Sequence, residues 1–143
     1  MSGVARTALA ESATPFFEPG EEIAVGEKYG DPYRALDFWK GRRGIEDLPA
    51  PSGVRFIKGQ MGVVITTRRF LTFKIGGFPM DRAKELLTDL PVNEVDSITV
   101  LNRFFSWSGV ILTIGGQEYQ FRIPDIGYGS IMAQALENAK QGE

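Results

Sequence analysis

Residues 117–139 constrain the fold of this chain most, because there the spacing of apolar residues changes period at a proline. Tyr119, Phe121 and Ile123 alternate with Glu118, Gln120 and Arg122, the two-residue period of a strand with one face in a core and the other in water. Past Pro124-Asp125 the period becomes helical. Tyr128, Ile131, Met132, Ala135, Leu136 and Ala139 fall within an arc of roughly 140° at about 100° per residue, with Ser130, Gln134, Glu137 and Asn138 opposite. A half-buried strand running into a one-sided helix predicts a sheet closed by a C-terminal helix, since burying each large apolar side chain stabilises by about 1.5 to 3 kcal/mol.

Strand signals recur upstream. Ile98, Val100 and Asn102 alternate with Thr99, Leu101 and Arg103, Val110–Ile114 follows Ser108-Gly109, and Gly115-Gly116 is a tight-turn pair. With 117–123 these predict a three-strand meander. Val63–Thr66 and Phe70–Ile75 are β-branched and aromatic runs on either side of Thr67-Arg68-Arg69, which predicts a hairpin stopped by Gly76-Gly77. Glu22–Val25 suits a first strand. Residues 81–87 have helical propensity and Pro91 soon follows, which predicts a short helix there. Residues 27–53 are rich in Gly, Pro and charge and carry Tyr29, Tyr33, Phe38 and Trp39, the composition of a long, partly packed loop. Residues 1–15 read as a flexible, weakly helical arm, and 16–143 as a single domain.

Composition narrows the chemistry. The 143 residues include no Cys and no His, which removes disulfides, thiolate zinc sites, Ser-His-Asp and Cys-His nucleophile systems and the usual proton shuttle near neutral pH. Gly76-Gly77, Gly115-Gly116 and Gly127-Tyr128-Gly129 do not fit a phosphate loop or dinucleotide fingerprint. The carboxylates of 18–47 lack the spacing of a calcium loop. No catalytic residue, metal ligand or cofactor is therefore expected, and the chain reads as a non-enzymatic binding module. Sixteen Lys and Arg against eighteen Asp and Glu give a net charge of -2, which argues against nucleic acid as partner. The opening residues lack the apolar core of a signal peptide and no stretch approaches the roughly 18 apolar residues of a membrane span, so the expected location is the cytoplasm.

The order of Gly62-Val63-Val64-Ile65-Thr66-Thr67-Arg68-Arg69-Phe70-Leu71, the Leu90-Pro91-Val92-Asn93-Glu94-Val95 segment, the meander and the closing helix resembles bacterial PH-like and GRAM-like domains. In those families a glycine opens a strand that ends in a Thr-x-x-Arg turn, and a Pro-Leu-x-x-Ile step leads into a second sheet. Gly20-Glu21 likewise looks like their lead-in to strand one. The resemblance covers roughly residues 16–140. It implies a mainly β, PH-like, partly open antiparallel barrel of two packed sheets, about seven strands, closed by one C-terminal amphipathic helix. The insertion at 27–53 and the helix expected at 81–87 depart from the pattern.

Such scaffolds host lipid headgroup sites, peptide grooves and purely structural modules alike. A protein partner or a homo-oligomer is the preferred expectation, through a sheet edge or the aromatic loops. Phe104, Phe105 and Trp107 form one aromatic cluster at a strand connection. The alternative is an anionic lipid headgroup at the inner face of the membrane. Arg68 and Arg69 would hold it, joined by Lys40, Arg42 and Arg43 beside Phe38 and Trp39. Against that stands a plainer role: Arg68 and Arg69 as turn residues set against Asp or Glu of a neighbouring loop, and the aromatics as cover for the core.

Overall fold

The computed structural model describes residues 8–24, 33–38, 50–57, 61–76, 82–103, 108–123 and 128–142. Its strands are β1 (Tyr33–Phe38), β2 (Met61–Ile65), β3 (Arg69–Gly76), β4 (Arg82–Pro91), β5 (Ser97–Arg103), β6 (Ser108–Ile114) and β7 (Gln117–Ile123). They are flanked by helices α1 (Ala8–Ala13) and α2 (Tyr128–Gln141). The strand order is β4-β3-β2-β1-β7-β6-β5. Two three-stranded antiparallel meanders, β2-β3-β4 and β5-β6-β7, are bridged by β1, whose residues 33–36 pair with β2 and 37–38 with β7. Among the described residues β4 and β5 do not pair, so the sheet is not closed into a barrel.

The hairpin expected around Thr67-Arg68-Arg69, the meander and the C-terminal helix are all present. Gly115 and Gly116 take φ of +58° and +83°, the left-handed pair that lets a two-residue turn follow the strand twist. Three expectations are corrected. The helix expected at 81–87 is the start of β4. Local helix propensity, at most about 0.7 kcal/mol per residue for ordinary residues, loses to a strand ladder that buries side chains on both faces. Irregularities in the β3–β4 register, between Thr72 and Phe73 and between Lys74 and Ile75, shift the side-chain phase. Leu87 and Leu90, three residues apart, consequently both serve the inner core, and Ala83 and Leu86, also three apart, both serve the outer one. The loop expected at 27–53 contains β1, the strand that joins the two meanders. The first strand expected at 22–25 is a single bridge, Ile23 to Thr66, with Ala24 N–H donating to Ile65 C=O at 2.9 Å. That bridge lies on the same side of β2 as β1. Continuing its register would set position 25 against Val64, yet Tyr33, eight residues later, stands there.

Two apolar layers result. The inner one collects Met61, Val63, Ile65, Phe70, Leu90, Leu112, Tyr119 and Phe121 from the strands, with Met132, Ala135, Leu136 and Ala139 of α2. Those four belong to the expected six-residue helical stripe, of which Ile131 is half-buried. The outer layer places Val64, Leu71 and Phe73 beneath Leu9 and Ala13 of α1, so the arm expected at 1–15 holds a packed helix. Phe16 meets Phe73 edge to face at 5.2 Å between ring centroids.

Candidate functional site

The β2–β3 turn is built on Thr66. Its hydroxyl oxygen accepts the backbone N–H of Arg68 at 3.1 Å and of Arg69 at 2.8 Å, and its own N–H donates to Arg69 C=O at 2.9 Å. A short polar side chain that satisfies its own turn is what a strand-to-strand step favours. The Thr66 hydroxyl donates to the carboxylate of Glu21, whose side chain is fully buried. Arg69 grips both oxygens of that carboxylate, Nε at 3.0 Å and Nη2 at 2.7 Å. Nη2 also donates to Phe16 C=O at 2.9 Å, and Nη1 stands 3.0 Å from Asp89 Oδ2. Burial alone would raise the Glu21 carboxyl; the bonds from Arg69, Thr66 and the Glu18 N–H outweigh it and hold the group below the ordinary carboxylate range. The Glu21 hydrogen bond is the main reason the Arg69 guanidinium is held more firmly protonated still.

The two expected anion-binding arginines are therefore separated in role. Arg69 takes the plainer reading, paired with Glu21 and Asp89 from neighbouring segments, and ties residues 16–21 to the turn. Arg68 is half exposed, with Glu18 4.0 Å away across solvent. Phe38 ends β1, where its backbone is in register with Phe121. Trp39, Lys40, Arg42, Arg43, Phe104, Phe105 and Trp107, the rest of the expected basic and aromatic clusters, lie outside the described residues.

The two edges of the sheet differ. The outer side of β4 is occupied: Asp89 N–H donates to Gly53 C=O at 2.9 Å, and Ala83 N–H to Ser12 Oγ at 2.7 Å. Thr88 Oγ1 accepts Arg55 N–H at 3.2 Å and donates to Arg55 C=O at 2.9 Å. Residues 53–56 run along this edge with Val54 and Phe56 buried in the inner core. On β5 the alternation can be followed from the β6–β7 turn. The two-residue loop closes on the pair Ile114–Gln117, so Ile114, Leu112 and Val110 bond to β7, while Thr113 and Ile111 bond to Ser97 and Thr99. The backbone N–H and C=O of Ile98 and Val100 then point away from the sheet. No hydrogen bond among the described residues reaches them. The uncharged, β-branched run Ser97-Ile98-Thr99-Val100 was the available signal for this edge, and sequence reasoning named sheet edges without choosing one.

α2 lies on the inner side of β5, packing Met132, Ala135 and Leu136 into the core that Ile98 shares. Lys140 Nζ donates to the carbonyls of Val95 at 2.9 Å and Asp96 at 3.2 Å, just before the strand begins. A depression of about 510 Å³ beside the β6–β7 turn is lined by Ala50, Pro51, Ile114, Gly115, Gly116 and Gln117, none of them titratable. Among the described residues no helix is long and apolar enough to cross a membrane. Comparison with protein-family models, curated proteins and solved structures returns no match to this chain.

Proposed function

We propose that this chain is a non-enzymatic binding module of PH-like architecture that takes an extended segment of a protein partner as an added strand on β5. The observation that carries the reading is the asymmetry of the sheet edges. β4 is blocked by 53–56 and by Ser12, whereas Ile98 and Val100 present two N–H and two C=O groups that find no partner among the described residues. Main-chain pairing of that kind supplies affinity and side-chain pockets supply choice. The PH-like architecture is supported by two meanders sharing β1 and by a C-terminal helix packed against the second. The alternative, an anionic headgroup site, is left with Arg68 once Arg69 is engaged by Glu21 and Asp89.

Val100→Pro tests the reading, because proline removes an outward N–H and tolerates an edge position without breaking the β5–β6 ladder. Peptides selected from a displayed random library should slow hydrogen exchange at the Ile98 and Val100 amides, and Val100→Pro should abolish their binding while leaving thermal unfolding close to that of the parent. Peptide binding that ignores Val100→Pro would refute strand addition at β5.

A further inference from the structure

We infer that the segment β5 accepts is the β5 of a second copy, paired antiparallel about a twofold axis at Thr99; this rests on the β5 reading above and names its partner. Three features of the strand carry it. First, the outward groups are self-complementary. A twofold axis at Thr99 sets Ile98 against Val100 of the other copy and Val100 against its Ile98, and both residues expose N–H and C=O on that side. Each pair then exchanges two bonds, so the outward donors and acceptors of both edges are consumed together.

Second, charge does not oppose the pairing. Ser97–Asn102 carries none, Asp96 precedes the strand and Arg103 ends it. An antiparallel register about Thr99 would set Asp96 opposite Asn102 and Val95 opposite Arg103, so no like charges face each other, where a parallel alignment would oppose like with like. Third, the edge lacks the usual protection. It has no proline and no lysine, and its register irregularity comes only after Val100, so four regular residues are left for a partner to read. Thr99, exposed at the centre, is the residue the axis would bring against itself. A contact this short lies below the size of stable interfaces and makes a concentration-dependent dimer.

The full chain should show a monomer–dimer equilibrium by sedimentation velocity between micromolar and millimolar concentration. Thr99→Lys and Thr99→Glu each place like charges face to face and should sediment as monomers over the same range. An equimolar mixture of the two should regain the dimer, and that rescue excludes misfolding as the cause of the loss. A parent chain that stays monomeric at millimolar concentration, or a dimer indifferent to Thr99→Lys, overturns self-pairing. Peptide capture abolished by Val100→Pro in a chain that is monomeric throughout would leave the β5 edge reading standing and this one refuted; absence of both would remove both.

Discussion

Arg68 and Arg69 adjoin in sequence and differ in almost everything the fold does with them. Arg69 opens β3 and spends its donors on Glu21, Asp89 and the Phe16 carbonyl; Arg68 sits in the turn and reaches no closer than 4.0 Å to Glu18. Removing Arg69 strands a fully buried carboxylate, so Arg69→Ala should cost about 3 kcal/mol in urea unfolding, whereas Arg68→Ala should stay within about 0.5 kcal/mol. The pH dependence follows from Glu21. Its folded pKa is depressed, so its contribution is present above the ordinary carboxylate value of about 4.3 and is lost as pH falls through the lower folded value. The stability gap between the parent and Glu21→Gln should accordingly be constant from pH 7 to near 5 and shrink below that. A gap that widened on acidification would contradict the sign. Thr72 presents a different case. Its hydroxyl is buried in mid-strand with no hydrogen-bond partner among the described residues, and Thr72→Val should raise stability by about 1 kcal/mol, read as a higher urea midpoint at unchanged slope. That a turn arginine would meet an Asp or Glu of a neighbouring loop was legible beforehand; which arginine and which carboxylate were not, because Glu21 and Arg69 are 48 residues apart.

At the scale of elements, legibility followed regularity. The hairpin, the meander and α2 each keep one period over their length, and all were readable. β4 was not, because its register irregularities put Leu87 and Leu90, three residues apart, in one core and Ala83 and Leu86 in the other, which erases the alternation. β1 was hidden by its setting, a short run among glycines and prolines whose place is decided by backbone pairing to β2 and β7. The packing of α1 depends on a residue with no side chain. A Cβ on Gly62 would stand 2.7 Å from Leu9 Cδ1 and 2.8 Å from Ile75 Cγ2, so the missing side chain of β2 is the seat for Leu9. Gly62→Ala should cost about 1 to 3 kcal/mol by overpacking. In the Leu9→Ala background the same change should cost about 1 kcal/mol less, a coupling that a double-mutant cycle measures directly. Additive costs would mean that Leu9 gives way and that α1 is not seated on Gly62.

For the molecule as a whole, the question is what closes a seven-stranded sheet whose ends do not meet. α2 covers the β5 side. On the β4 side the chain supplies 53–56, which bonds the outer groups of Thr88 and Asp89 and sends Phe56 inward, where its ring meets Tyr119 at 4.9 Å and Phe121 at 5.3 Å, both edge to face. Phe56 thus links the outer edge of the first meander to the last strand of the second, and its burial holds the blocking segment in place. Phe56→Ala should cost about 3 to 5 kcal/mol overall. Its more telling effect is local: with the anchor gone, Gly53 and Arg55 leave the edge, and the Asp89 amide, bonded to Gly53 C=O in the parent, should exchange faster by a larger factor than the amides between β6 and β7. A uniform loss of protection at all these sites would mean that 53–56 unfolds only with the whole molecule. A selective loss at Asp89 would mean that one contact, made by a residue that the sequence pattern assigned to no element, is what keeps the β4 edge covered while the rest of the sheet stays folded.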